Sequence, residues 1–270
     1  MGILKRWVRR KLEAAGYVVF HVRTPGLYAH DGLFTFNNSH FLQDPSFEEA
    51  YRRGVQAGRG VDPKMEWRVH VALWAARCAA GIAGDFVECG VNAGFVSSAI
   101  MRHLDWRRTE KAFYLIDTFS GPVLSQYSDE EVRQGQRKVA EDALARGAYV
   151  TDLERMRANY AEWPNVRLVQ GAVPDVLELV KPDRVAFLHL DMNCARPERA
   201  AFEYFWEKLS PGGMVLLDDY ATYLYDPMAR EIDGSAGARG AAVLSLPTGQ
   251  GLIWKQPQRS GRIDLPVSSG

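Results

Sequence analysis

What this sequence lacks bounds what it can be. Cysteine is scarce: Cys78, Cys89 and Cys194 are the only three in 270 residues, and no two form a CxxC pair. That excludes a disulfide framework and fits a reducing, cytoplasmic setting. Long hydrophobic runs are missing as well. No stretch approaches the roughly 18 apolar residues that a membrane-spanning helix needs, and the N-terminus has neither the apolar core nor the small-residue cleavage site of a secretory signal. No charge of one sign dominates, since 33 basic and 33 acidic residues cancel. Nothing in the balance asks for nucleic acid or an acidic polymer, so no nucleic-acid partner is expected. Internal repeats and low-complexity tracts are absent. So is the GxGxxG fingerprint, which argues against a nicotinamide oxidoreductase.

What is present is ordinary globular composition, 47% hydrophobic and 24% charged, enough for one large core. The chain opens on a basic amphipathic helix, in which Ile3, Leu4, Trp7, Val8 and Leu12 recur near helical spacing among Lys5, Arg6, Arg9, Arg10 and Lys11. Such a helix packs on a domain or a partner subunit; peripheral membrane contact through residues 1–15 is the competing reading. Residues 21–63 mix turn formers and aromatics, which predicts irregular or short helical structure. We therefore read 1–63 as an N-terminal segment for acceptor or oligomer contacts, 64–256 as the main domain, and 257–270 as a tail.

From Lys64 the pattern is regular. "KMEWRVHVALWAARCAAGI" predicts an amphipathic helix. The runs "DFVECGV", "AFYLIDTF", "VRLVQG", "VAFLHLD" and "GMVLLDD" read as strands, and "VSSAIMRHL", "DLERMRANYAE", "VPDVLELV" and "PERAAFEYFWEKL" as helices between them. This alternation predicts a parallel sheet covered on both faces. "VLSLPTG" and "GLIWK" read as two late strands, an antiparallel addition at the edge.

In such sheets ligands lie beyond the carboxyl ends of the strands. Those ends carry Glu88, Asp117, Gln170, Asp191, and Asp218 with Asp219, so all but one are acidic. Carboxylates do not belong on purely structural buried strands. "ECGVNAG" places Glu88, Gly90 and Gly94 in a turn where glycine lets the backbone bend sharply and approach a ligand; a tight turn without a ligand reads equally well. Asp117 in "YLIDTF" could accept both hydroxyl hydrogens of a ribose, or cap the segment that follows.

Together, "ECGVNAG", "IDTF", "HLDMN", "KLSPGGMVLLDDY" and "LPTGQGLIWK" resemble the class I S-adenosylmethionine-dependent methyltransferases, and within them the macrocin O-methyltransferase group, over about residues 60–256. The resemblance implies a Rossmann-like, doubly wound seven-stranded α/β sheet whose last strand is antiparallel. It implies that Glu88, Gly90 and Gly94 line the methionine end of S-adenosylmethionine, that Asp117 holds its ribose, and that Gln170 and Gly171 lie near its adenine. It further implies that Asp191, Asp218 and Asp219 bind Mg²⁺, that residues 118–150 form a lid, and that the acceptor is a hydroxyl of a sugar or similar vicinal diol in antibiotic biosynthesis. A homo-oligomer is expected.

One position departs from the family. Two residues beyond the first metal ligand the group carries an acid that serves as general base, and here stands Asn193. Asparagine can orient a hydroxyl but cannot take its proton. The expected activity is O-methyl transfer with Asp191 and Asn193 at the reacting centre; the alternative is a protein that binds the cofactor without reacting. His189 reads as a packed strand residue and Tyr220 as a possible helper. His30 and His40 with Tyr28 and Phe34, or Tyr223, Tyr225, Arg230 and Arg239 in the 221–240 region, are candidates for the acceptor side.

Overall fold

The computed structural model describes residues 3–17 and 26–257, so positions 258–270 of the anticipated tail lie outside the described residues. The chain divides into two compact units, residues 1–40 and 41–270. In the first, helix α1 (Ile3–Ala14) forms as its periodicity predicts, with Trp7, Val8 and Leu12 exposed. Strands β1 (Tyr28–His30) and β2 (Leu33–Thr35) make an antiparallel hairpin where an irregular or helical segment was expected. The local reason is Asp31-Gly32, both at positive φ, which is the turn chemistry of a tight hairpin.

The second unit begins within the same segment, where the short helical alternative holds. Helix α2 spans Pro45–Ala57. Asp44 caps it, its carboxylate accepting the Ser46 amide at 2.8 Å, and Pro45 presets the first turn. Its buried Phe47 and Ala50 share a core with the helices that follow, and the second compact unit begins at Phe41.

The order then runs α3 (Glu66–Ala80), β3 (Asp85–Cys89), α4 (Phe95–His103), β4 (Phe113–Asp117), α5 (Asp129–Arg133), α6 (Gln136–Ala145), α7 (Leu153–Tyr160) and β5 (Val166–Gln170). It continues with β6 (Val185–Leu190), α8 (Ala195–Trp206), β7 (Leu209–Leu217), α9 (Asp226–Gly237), β8 (Leu244–Ser245) and β9 (Gly251–Trp254). "VPDVLELV" is not a helix. Val173, Val176, Leu177 and Val180 are buried at helical spacing, but Pro174 falls within this set and Pro182 follows it, and the segment makes a single 3₁₀ turn at Leu177–Leu179.

Seven strands form one sheet in the order β5-β4-β3-β6-β7-β9-β8. The first five are parallel, and β9 pairs antiparallel with both β7 and β8. Every residue of β6 is buried, as a central parallel strand covered on both faces requires. Alternate residues feed two cores: Phe86, Phe187 and Leu216 face one, and Val87, Leu188 and Val215 the other. Trp106, Trp163 and Trp206 are buried, whereas Trp74 and Trp254 are exposed. Strand order reverses between β3 and β6, which fixes where a ligand crevice opens.

Candidate active site

Strand register builds the site. Cys89 lies opposite Leu190, and Leu190 opposite Leu217, so the next residues, Gly90, Asp191 and Asp218, leave the sheet side by side. The ladder extends one rung further: the Asp191 amide donates to the Cys89 carbonyl and the Asp218 amide to the Leu190 carbonyl, both at 2.9 Å. Gly90 has φ +88, and a Cβ there would stand 1.9 Å from the Asp191 carbonyl oxygen. Only glycine lets the two strand ends approach so closely. Gly94, also left-handed, precedes α4; a Cβ there would meet the Tyr160 hydroxyl at 2.0 Å.

Asp117 pins the turn between these glycines. Its Oδ2 accepts the amides of Val91 and Asn92, each at 2.8 Å, and its Oδ1 accepts the Phe119 amide at 2.7 Å and the Thr118 hydroxyl at 3.4 Å. A carboxylate has about four acceptor directions, and the turn engages all of them, the Thr118 contact most weakly. A cavity opens beside the turn. Gly90, Asp117, Gly171, Asp191 and Asn193 line it, with Tyr127 and Tyr149 from the segment read as a lid. Glu88, Gly94 and Gln170 do not. Gln170 is exposed, its amide 3.4 Å from the Thr118 carbonyl, and Gly94 is buried under α7.

Asp191, Asp218 and Asp219 converge, each offering a carboxylate oxygen within 4.8 Å of the others. Burial first, and then the charges of Asp218 and Asp219, push the Asp191 carboxyl well above the ordinary carboxylate range. Three hard oxygen donors that repel one another are the donor set of a Mg²⁺-type ion, so the residues present fit the metal that the sequence suggested. Protein donors reach the same acids. Asn193, at φ +56, gives its Nδ2 to Asp191 Oδ1 at 3.1 Å; Gln250 Nε2 meets Asp218 Oδ1 at 3.0 Å; and Arg68 Nη1 lies 2.8 Å from both Asp218 Oδ2 and Asp219 Oδ1.

Beneath the acids lies a buried polar layer. Glu88 and His189, paired in register on β3 and β6, hydrogen-bond at 2.9 Å, and His189 Nε2 is 4.0 Å from Asp218 Oδ1. Burial opposes the imidazolium, but the hydrogen bond and charge of Glu88 outweigh it and raise the His189 pKa. The expectation that His189 packs in the strand is met, with the addition that its partner is an acid.

Two carboxylates the sequence reading passed over complete the arrangement. Glu198 on α8 is buried, and its Oε1 accepts the amides of Met192 and Asn193 at 2.9 and 3.0 Å. Burial outweighs those bonds and raises its pKa to about 8. Glu131 on α5 is buried too. Its Oε2 accepts the Ser128 amide and hydroxyl at 2.7 and 2.8 Å, while its Oε1 accepts the Ala195 amide at the start of α8 at 2.8 Å.

Other candidates find different partners. The Tyr220 hydroxyl binds Asp233 at 2.6 Å, Arg230 binds Glu130 at 2.6 Å, and Arg239 bonds the Ser235 carbonyl. Tyr223 is 89% exposed. In the first unit His30 is exposed and meets Tyr28 edge-on, and Phe34 is exposed.

A sheet of this order with its crevice at the β3/β6 reversal is the Rossmann-like fold of the class I methyltransferases. Its solved likenesses include the O-methyltransferase NovP, with TM-score 0.61, 19% identity, and 82% of this chain and all of that one covered. Another is the calicheamicin methyltransferase CalS11, with TM-score 0.52, 17% identity, and 69% and 77% covered. The macrocin O-methyltransferase (TylF) family model matches residues 69–232, and the chain belongs to that family. It is 29% identical over 200 residues to the 8-demethyl-8-(2,3-dimethoxy-alpha-L-rhamnosyl)-tetracenomycin-C 4'-O-methyltransferase of Streptomyces olivaceus, covering 70% of this chain and 72% of that enzyme. The mycinamicin III 3''-O-methyltransferase of Micromonospora griseorubida is 25% identical over 151 residues, 52% of this chain and 56% of that enzyme. The protein is thus an S-adenosylmethionine-dependent O-methyltransferase. Among the described residues no helix is long and apolar enough to cross a membrane.

Proposed function

We propose that the chain methylates a hydroxyl of a sugar, or of a similar vicinal diol, on an antibiotic-type small molecule, with help from a divalent ion. The supporting observation is the cluster of Asp191, Asp218 and Asp219 at the ends of β6 and β7, with Asp191 itself lining the cavity bounded by Gly90, Asp117 and Gly171. The Streptomyces olivaceus relative is named for a 4'-O position on a rhamnosyl-bearing compound, which supports a sugar acceptor.

When bound, S-adenosylmethionine supplies an electrophilic methyl group and the divalent ion supplies positive charge beside the acceptor oxygens. This chain's residues do the rest. Gly90 and Gly94 shape the turn for the methionine end, over Glu88. Asp117 would hold the ribose, its weakest present contact being the Thr118 hydroxyl at 3.4 Å. Gly171, on the cavity wall, would border the adenine, with Gln170 preceding it outside that wall. Asp191, Asp218 and Asp219 hold the ion, and Asn193 orients the acceptor hydroxyl by a hydrogen bond without taking its proton. Residues 118–150 close the cavity from water, with Tyr127 and Tyr149 on its inner wall. Residues 1–63 serve acceptor or subunit contacts in a homo-oligomer.

Calorimetric titration with S-adenosylhomocysteine, with Mg²⁺ and then with EDTA, tests this, followed by turnover on sugars bearing vicinal diols. Cofactor binding with Mg²⁺-dependent methylation is the expected result. Cofactor binding without turnover on any diol would leave a non-reacting binder, and no cofactor binding would remove the assignment of the cavity.

A further inference from the structure

Arg68 reaches the acid cluster from α3, 150 residues earlier in the chain than Asp218. One nitrogen, Nη1, sits 2.8 Å from Asp218 Oδ2, 2.8 Å from Asp219 Oδ1 and 3.2 Å from the Asp218 carbonyl oxygen. The contact is largely withdrawn from solvent, the three side chains being 16%, 14% and 17% exposed. The fold makes room for it. At Gly249, held at φ +86, a Cβ would press on the Thr222 hydroxyl at 2.7 Å and come within 3.5 Å of Arg68 Nη2. Gln250 from the same turn occupies the other Asp218 oxygen.

A guanidinium held on these oxygens works against a divalent ion on the same atoms, because it takes one of each oxygen's two lone pairs and adds positive charge beside the other. An N–H donor stands about 2.8 Å from a carboxylate oxygen, a bound Mg²⁺ about 2.1 Å, and their like charges repel across the same atoms. Asp191 differs: among the described residues its carboxylate accepts the neutral Asn193 amide. Both features act in one direction. An arginine adds positive charge at Asp218 and Asp219, and Asn193 brings an uncharged donor to Asp191, so the cluster attracts a cation less than three bare acids would.

We propose that Arg68 is a resident cation that competes with the divalent ion for the Asp218–Asp219 pair. Metal entry displaces the guanidinium, and Arg68 sets how weakly the ion is held. This rests on the metal-assisted reading above, and the test separates the two. MgCl₂, and in parallel MnCl₂, is titrated calorimetrically into the cofactor-free full-length chain as wild type, R68M, R68K and D218N. Melting temperatures are recorded in EDTA and in Mg²⁺, and circular dichroism checks folding, with R68Q replacing R68M should the latter not fold.

R68M keeps the aliphatic stem and removes the charge. It is expected to bind Mg²⁺ at least about tenfold tighter than wild type, with R68K between them. R68M should also melt lower than wild type in EDTA and regain the loss in Mg²⁺, whereas wild type changes little between the two. Equal or weaker Mg²⁺ binding by R68M, with D218N abolishing binding in the wild-type background, overturns the arginine proposal alone. Undiminished binding by D218N overturns the metal site itself. Binding by R68M with none by wild type upholds the competition and removes the metal from the native reaction, and binding by neither overturns both.

Discussion

Glu131→Ala offers the sharpest test of the proposed lid. Glu131 is fully buried and joins two elements 64 residues apart, bonding Ser128 at its own helix start and the Ala195 amide at the start of α8. The Ser128 contacts are local and water can replace them when the segment opens. The Ala195 contact exists only while the segment is docked. A hydrogen bond to a charged acceptor contributes about 1.5–3 kcal/mol, and this one also sits at a helix N-terminus, where negative charge is favoured. Taking about 2 kcal/mol, loss of the carboxylate shifts closure by about thirtyfold. If S-adenosylhomocysteine is held by the closed form, its dissociation constant rises by up to that factor. Glu131→Gln should fall between, since its amide oxygen replaces one acceptor while its NH₂ faces donors. Calorimetry gives the affinity, and limited proteolysis of residues 118–150 reports opening. An affinity within about twofold of wild type, with unchanged proteolysis, would refute the latch.

Three further outcomes follow from the same geometry. Asn193→Asp places a carboxylate where Nδ2 now meets Asp191 at 3.1 Å; it should tighten Mg²⁺ binding and raise kcat about tenfold or more by restoring a proton acceptor, and an unchanged kcat would show that the base lies elsewhere. Glu198, its pKa raised by burial from 4.5 to about 8, keeps its proton in the folded state while the unfolded chain releases it. In EDTA its contribution to stability is therefore full below about pH 4.5 and falls by about 1.4 kcal/mol per pH unit until about pH 8. Urea unfolding across that range should lose this slope in Glu198→Gln, and parallel curves for the two proteins would contradict it. Gly90→Ala puts a methyl 1.9 Å from the Asp191 carbonyl and should cost more than about 3 kcal/mol together with cofactor binding; a urea midpoint near wild type would refute the close approach.

The site was only partly legible in the sequence. Asp191, Asp218 and Asp219 announced themselves because carboxylates ending apolar runs are out of place, and parallel register brings consecutive strand ends together. Asp117 was equally visible, but its bonds to the Val91 and Asn92 amides were not, since a strand-end acid looks the same whether it faces a ligand or a turn. Glu198 and Glu131 were overlooked because a glutamate inside a polar helical stretch carries the pattern of a solvated face. Residues 21–63 were legible only as irregular or short helical, because their turn formers and aromatics mask the one strong local start, the Asp44-Pro45 cap of α2. "VPDVLELV" misled, because helical spacing of apolar residues does not reveal that a segment interrupted at Pro174 and stopped by Pro182 makes only one 3₁₀ turn.

What the sequence by itself determined is what local periodicity and backbone sterics control: strands alternating with helices, glycines at the ligand turn, acids at the strand ends, and the family they spell. These depend on residues a few positions apart, where a period near two or near 3.6 leaves a readable trace. Only the tertiary structure decided the partners: Arg68 on the Asp218–Asp219 pair, Glu88 on His189, and Glu131 on the start of α8. Each joins residues 64 to 151 positions apart. Such contacts leave no local signature, because a charged side chain finds its partner only after packing has excluded water and fixed which charges must face each other.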